Sequence, residues 1–296
     1  MNEINRFLDY LSNEKRYSKH TIISYKNDLN AFCLYVQEQY QLNSVLHLSH
    51  TLIRSWIVKL LQEGISARSV NRKISALKSF YNFYKRRGEL DKNPMNKIIA
   101  PKIGKRLPEF IPEKSLQDLQ EHIDFYQDFS GIRDLLVVES LYQTGMRRSE
   151  LIQLKDSDVN TERLQIKVLG KGNKERFIPL STSLKDLILK YLHLRNETFP
   201  DLDFPRLFVT DKGVGLYPKF VYNLVKRVLT RVSTSEKRSP HVLRHSFATH
   251  LANHGAELNA IKELLGHANL SATQIYTHNT IDKLKKVYKK SHPKAT

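Results

Sequence analysis

The sequence predicts a mainly α-helical chain of two domains, with a small β-hairpin or sheet in the second, and three features of its 296 residues carry that expectation. Residues 1 to 98 repeat apolar side chains every three or four positions between short polar or glycine breaks, as packed helices do. Residues 93–112, NPMNKIIAPKIGKRLPEFIP, set four prolines among basic residues and read as an extended connector. Farther on, the alternating apolar runs ERLQIKVL and KERFIPLS are joined by GKGN, the pattern of a hairpin.

Taken in order, the helices are expected near Glu3 to Asn13, Ser18 to Gln39, Ser49 to Gln62 and Ala67 to Arg87. Gly64 and Gly88 stop the last two, because glycine enters the left-handed conformation at a helix end cheaply. This places an N-terminal four-helix domain at 1–98, a linker at 99–110 and a second domain, again mostly helical around the hairpin, at 111–296. The single cysteine, Cys33, falls at helical spacing with Leu29, Phe32 and Val36 and reads as a small core residue, so no disulfide forms within the chain. The final stretch, IDKLKKVYKKSHPKAT, is a short amphipathic helix with Ile281, Leu284, Val287 and Tyr288 on one side.

Charge narrows the class of partner. With 48 Lys+Arg against 30 Asp+Glu the formal net charge is +18, the electrostatic footprint of a chain that meets a polyanion, nucleic acid before all others. No run of about 18 apolar residues offers a membrane span, and no apolar stretch behind a basic start offers a signal peptide, so the expected setting is soluble, cytoplasmic and nucleoid-associated. The fourth helix turns Val70, Ile74, Leu77, Phe80 and Tyr81 one way and Arg68, Arg72, Ser75 and Ser79 the other. That second face can grip phosphates, or it can be a solvated helix side. Lys19, Thr21, Tyr25 and Lys26, opening the second helix, have the same two readings.

The segment HVLRHSFATHLANHG holds four histidines, with His241 and His245 four apart and His250 and His254 four apart, a spacing compatible with metal. Metal fits poorly, because the segment has no Cys, Asp or Glu and Arg244 shares the face of His241 as a permanent cation. His241 and Arg244 instead form a donor pair suited to an oxyanion. Three further segments supply matching groups. In TGMRRSEL, Gly145 breaks one helix and Arg147 opens the next, whose free amides also favour an anion. GKGNKER puts Lys171 at a glycine-flanked tip, with Lys174 as its rival. LLGHANLSATQIYTH contributes His267 and Tyr276, either of which can equally be surface or packing.

Taken in chain order and at their spacing, these four segments resemble the tyrosine recombinases, also called the phage integrase family, and within it the short two-domain Xer recombinases of bacteria. The resemblance covers essentially the whole chain and implies a helical SAM-like DNA-binding domain followed by a mixed α/β catalytic domain. It assigns Arg147 and Arg244 as the catalytic arginines, Lys171 as the hairpin lysine and general acid, His241 and His267 as the histidines, and Tyr276 as the nucleophile. Glu150, one turn beyond Arg147, orients neighbouring groups or is an ordinary exposed glutamate. Met146 stands where the family often has leucine, which alters no chemistry. The resemblance further implies cutting and rejoining of duplex DNA through a 3′-phosphotyrosyl intermediate, with no metal and no ATP. It implies resolution of chromosome or plasmid dimers, a homo- or hetero-tetramer of protomers on two duplexes, and a possible DNA translocase as partner. By the same analogy the C-terminal helix docks on a neighbouring protomer; packing on its own domain is the alternative. Other readings are a mobile-element integrase or invertase, a type IB topoisomerase, which the compact N-terminal domain disfavours, and a DNA-binding regulator without catalysis. Binding alone needs cations and no nucleophile.

Overall fold

The computed structural model describes residues 2–104, 109–117, 127–170, 175–202, 204–233, 235–266 and 278–295, with side chains from 283 onward in the last segment. Lys171, Lys174, His267 and Tyr276 lie outside the described residues. The chain divides into two compact units, Met1–Arg106 and Leu107–Thr296, a division that falls inside the expected connector.

In the first unit, α1 (Asn2–Asp9) runs into a π-helical turn at Tyr10–Glu14, so the single helix expected over Glu3 to Asn13 changes winding halfway. The next three, α2 (Lys19–Tyr40), α3 (His50–Gln62) and α4 (Ala67–Arg86), lie within a residue of their expected bounds. Each starts at a serine, Ser18, Ser49 and Ser66, whose hydroxyl accepts an amide of the first turn at 3.3 Å. Such a cap satisfies one of the donors that a helix start leaves unpaired. The apolar faces meet around Phe7, Phe32, Trp56, Phe80, Tyr81 and Tyr84. Two of these phenols are tied to backbone, Tyr81 to Val45 O at 2.6 Å and Tyr84 to Glu3 O at 2.7 Å. Cys33 is half-buried against this core. The start of the connector belongs to this unit as well: Asn93 caps a 3-10 turn at Pro94–Lys97 and Met95 is buried in the core.

The second unit is organised around α6 (Phe129–Thr144), which follows the short α5 (Glu113–Gln117) and is buried along nearly its whole length. A helix buried on all sides belongs at a centre, and α6 packs against α7 (Arg148–Gln153), α8 (Thr182–Thr198), α9 (Pro218–Val232) and α10 (Pro240–Asn253), with its polar side chains paired inside the unit. The sheet is antiparallel in the order β1 (Val159–Asn160), β2 (Gln165–Leu169), β3 (Glu175–Pro179), with Ile166 opposite Ile178 and Val168 opposite Arg176. The expected hairpin thus gains a two-residue third strand, too short to show in the alternation of the sequence.

Two further helices complete the unit, α11 (Leu258–Leu265) and α12 (His278–Ser291). In this single chain the C-terminal helix packs on its own unit. Leu284 and Tyr288 are buried in a cluster with Phe247, Leu251, Leu264 and Leu265 of the same unit. Beyond α12, Lys294 reaches the buried Glu139 at 2.6 Å, fastening the end of the chain to α6. Val287, partly buried, packs against the same cluster. No helix among the described residues is long and apolar enough to cross a membrane.

Candidate active site

The site grows from the junction between α6 and α7. Gly145 ends α6 with a φ of +60°, a conformation that L side chains rarely adopt, and a Cβ there would collide with the ring of Phe247. Only glycine lets the chain turn this tightly against α10. The turn delivers Arg147 to the N-cap of α7, and Glu150 three residues later reaches back to the Arg147 amide at 2.7 Å.

Glu150 is therefore no exposed helix glutamate. It is buried, and its carboxylate accepts four hydrogen bonds. Two come from Arg147, through the amide and through Nη1 at 2.8 Å, and two from Arg176 on β3, through Nη1 at 2.9 Å and Nη2 at 2.8 Å. Burial by itself would raise the Glu150 pKa, but the hydrogen bonds and charge of Arg176, with those of Arg147, hold it down to about 2. The carboxylate is ionised at any ordinary pH.

Arg244 joins them from α10. Its guanidinium is buried and donates to two backbone oxygens, Gly145 O and, at 2.6 Å, Leu265 O. Burial lowers its pKa most, the Arg147 cation lowers it further, Glu150 opposes and Arg176 adds to the fall, leaving it at about 10. It remains charged at neutral pH. Arg147 also approaches Gly266 O at 3.4 Å. Three guanidiniums thus face one carboxylate, and their other described partners are neutral carbonyl oxygens. Among the described residues two positive charges are left unmatched, a fixed electrostatic invitation to an anion.

Of the residues singled out in the sequence, the structure brings Arg147, Glu150 and Arg244 together. His241 sits on α10 one turn before Arg244, in the helix's first turn and exposed. His250 is buried, bonded through Nδ1 to Tyr142 Oη at 2.9 Å, and His254 Nδ1 bonds to His250 O, so both are tied into the fold. Among the described residues no group of three or more His, Cys, Asp or Glu could hold a metal ion. Arg176 was missed in the sequence. The available signal was strand parity: it lies on the side of β3 that Ile178 also occupies, so a charged side chain there points inward.

The first unit presents its expected residues unevenly. Lys19, Lys26, Arg68 and Ser75 are exposed, while Thr21, Tyr25 and Ser79 are half-buried. Tyr25 stacks on Phe7 at 6.3 Å, and burial pushes its phenol pKa up, so it is in part a packing residue. Arg72 is not a free cation: it is paired with the buried Asp28 and bonds Ser24 at 2.7 Å, with Lys73 on the other Asp28 oxygen at 3.0 Å.

Comparison with known proteins agrees with this architecture. Residues 109–283 match the model of the phage integrase family, and residues 4–88 match that of the phage integrase N-terminal SAM-like domain. The chain is 36% identical over 314 residues to the tyrosine recombinase XerC of Chlorobaculum parvum, covering 98% of this chain and 94% of that one. It is likewise 36% identical over 293 residues to the tyrosine recombinase XerD of Staphylococcus haemolyticus, covering 99% of each. The fold is similar to that of the XerH site-specific recombinase in a pre-cleavage complex with its difH substrate, at a TM-score of 0.69 and 23% identity, over 97% of this chain and 94% of that one. The chain belongs to the phage integrase family and is a tyrosine recombinase.

Proposed function

We propose that the cluster of Arg147 and Arg244 holds the scissile phosphodiester of a duplex DNA recombination site, and that Tyr276 cuts it. The observation that carries this reading is the pair of unmatched positive charges held in a frame of carbonyl oxygens. A phosphodiester repels nucleophiles, and negative charge grows on its non-bridging oxygens in the transition state, where fixed guanidiniums lower the barrier without a metal. Tyr276 Oη bonds to phosphorus as the bond to the 5′-oxygen breaks. A free tyrosine has a pKa near 10, so its proton passes to His241 as attack proceeds, and the leaving 5′-oxygen takes a proton from Lys171. His267 donates a hydrogen bond to the phosphate, and Glu150 orients Arg147. The 3′-phosphotyrosyl bond conserves the energy of the broken ester, so a second 5′-hydroxyl reverses the step without ATP.

The domain at 1–98 supplies the cations that position the duplex, Lys19, Lys26 and Arg68 with Thr21, Tyr25, Arg72, Ser75 and Ser79 beside them, and Lys174 adds to the contact at the hairpin. Equal identity to relatives named XerC and XerD supports Xer-type resolution of chromosome or plasmid dimers, by a tetramer of protomers on two duplexes in the cytoplasm.

The test is covalent capture. A preferred duplex is selected from a randomised pool by retention on the protein, nicked beside the cleavage point, and incubated with chelator present. The reading expects an adduct that survives chelator and disappears in Tyr276→Phe. An adduct that persists in Tyr276→Phe, or activity lost to chelator, overturns it. Lys171→Ala slows cleavage, and a 5′-bridging sulfur, which leaves without a proton, restores the rate; absence of rescue moves the general acid elsewhere.

A further inference from the structure

Arg176 stands behind the two clamp arginines. It rises from the inward face of β3, is 3% exposed, and engages all three guanidinium nitrogens with two partners: Glu150, through both Nη atoms, and Leu264 O, through Nε at 2.9 Å. Leu264 lies at the C-terminal end of α11, and the next two carbonyls are also taken by guanidiniums, Leu265 O by Arg244 at 2.6 Å and Gly266 O by Arg147 at 3.4 Å. Three cations collect where a helix carries its negative pole. Gly266, at a φ of +63°, closes the cradle, since a Cβ there would press on Arg176 Cδ at 3.0 Å.

The division of the Glu150 carboxylate is the decisive detail. Each oxygen accepts one bond from Arg147 and one from Arg176. Only one side-chain nitrogen of Arg147 is therefore engaged by Glu150. Were Arg176 absent, the carboxylate would be released to pair with Arg147 fork to fork, the strongest geometry open to both. That pairing would turn Arg147 away from an incoming phosphate and cancel its charge.

We infer that Arg176 is a positioning residue for cleavage: by occupying half of the Glu150 carboxylate and bracing it on the end of α11, it keeps the charge of Arg147 available to the scissile phosphate. The inference rests on the reading of Arg147 and Arg244 as the phosphate clamp.

The experiment uses the full chain and the nicked duplex described above, measuring cleavage rate at saturating DNA, DNA affinity and thermal midpoint for each variant. Arg176→Met slows cleavage by about 100-fold, the cost of misplacing a catalytic group by about 1 Å, with DNA affinity unchanged. Adding Glu150→Gln to Arg176→Met removes the negative charge that captures Arg147, and the double variant cleaves about 10-fold faster than the single one, a coupling that only neighbours in one network show. Arg176→Lys keeps a cation on Glu150 without the fork, and, folded, cleaves faster than Arg176→Met. A double variant no faster than Arg176→Met overturns the inference, as do an Arg176→Lys protein that is folded yet as slow as Arg176→Met, and a loss confined to DNA affinity. A wild-type chain that forms no tyrosine-dependent adduct overturns the clamp reading and this inference together. With the adduct intact, the Arg176 variants judge the inference alone.

Discussion

Among the described residues of the second unit, two arginine clusters, each with a buried arginine and a buried carboxylate at its centre, are built on opposite principles. Around α6, Arg133 bonds Asp134 at 2.8 Å and Asp211 at 2.8 Å, stands 4.9 Å over the Phe220 ring, and shares Asp134 with Arg227. Two guanidiniums meet two carboxylates, and the charges cancel. At the start of α7, Arg147 and Arg176 share Glu150, Arg244 stands beside them on the backbone oxygens of Gly145 and Leu265, and Leu264 O completes the bonding of Arg176. A buried charge is tolerated when it is paired, and strongly unfavourable when it is not. The matched cluster serves the fold. The unmatched one raises the energy of the free protein, a cost that an anionic ligand offsets, so surplus charge and not the count of arginines distinguishes a binding site from a structural network.

The widest gap between the two is expected from the same substitution in each. Arg133→Met strands Asp134 with Arg227 as its remaining described cation and lowers unfolding free energy by about 3 kcal/mol, read by urea denaturation, while cleavage by the folded protein is unchanged. Arg244→Met removes one of the repelling cations, which offsets its two lost hydrogen bonds, so stability changes by less than about 1 kcal/mol. Cleavage in that variant falls by about 100- to 1,000-fold, as for the loss of one oxyanion donor. If Arg244→Met destabilised the protein as much as Arg133→Met, the contrast between the clusters would collapse.

The carboxylates at the two centres also titrate in opposite directions. Glu150 has its folded pKa depressed to about 2, so it contributes stability that is complete above its ordinary value near 4.5 and is lost as pH falls toward 2. A shift of that size is worth about 3 kcal/mol, and the stability difference between wild type and Glu150→Gln should shrink by that order across the window. Burial outweighs Arg133 and Arg227 at Asp134 and raises its pKa, so its contribution grows as pH falls. Acid titration of unfolding free energy for Glu150→Gln and Asp134→Asn should give slopes of opposite sign relative to wild type; slopes of the same sign would contradict the assignment.

Much of this was legible in the sequence, for reasons that differ by region. The helices of the first unit show because their periodicity is strong and each starts at a serine, so Ser18, Ser49 and Ser66 mark their own boundaries. Arg147 and Arg244 show because Gly145 and a histidine-rich helix set them in recognisable text. The π turn after Asp9 did not show, since its side chains keep an apolar spacing compatible with an ordinary helix. Arg176 stayed hidden because its partners are 26 and 88 residues away, and an arginine in a strand reads as solvent-facing until the inward side is known. Arg72 looked free for the same reason: Asp28 lies 44 residues earlier, in another helix.

The smallest effect gives the most direct comparison. Inorganic phosphate offers the same tetrahedral phosphorus and anionic oxygens as the expected ligand, and a cluster with two unmatched cations should bind it where a cancelled cluster does not. Binding to the folded state alone raises unfolding free energy by about 0.4 kcal/mol when the phosphate concentration equals Kd, and more as it rises. Phosphate also stabilises proteins in general by exclusion from their surface, so the wild-type increment by itself decides nothing. The informative quantity is the difference between variants at matched ionic strength. Arg147→Gln and Arg244→Met should lose the saturable part of the phosphate response and keep the linear part. Arg227→Gln, which unbalances the cancelled cluster at its exposed edge, should keep both. A saturable response that survives in Arg147→Gln and Arg244→Met but disappears in Arg227→Gln would place the anion site at the wrong cluster.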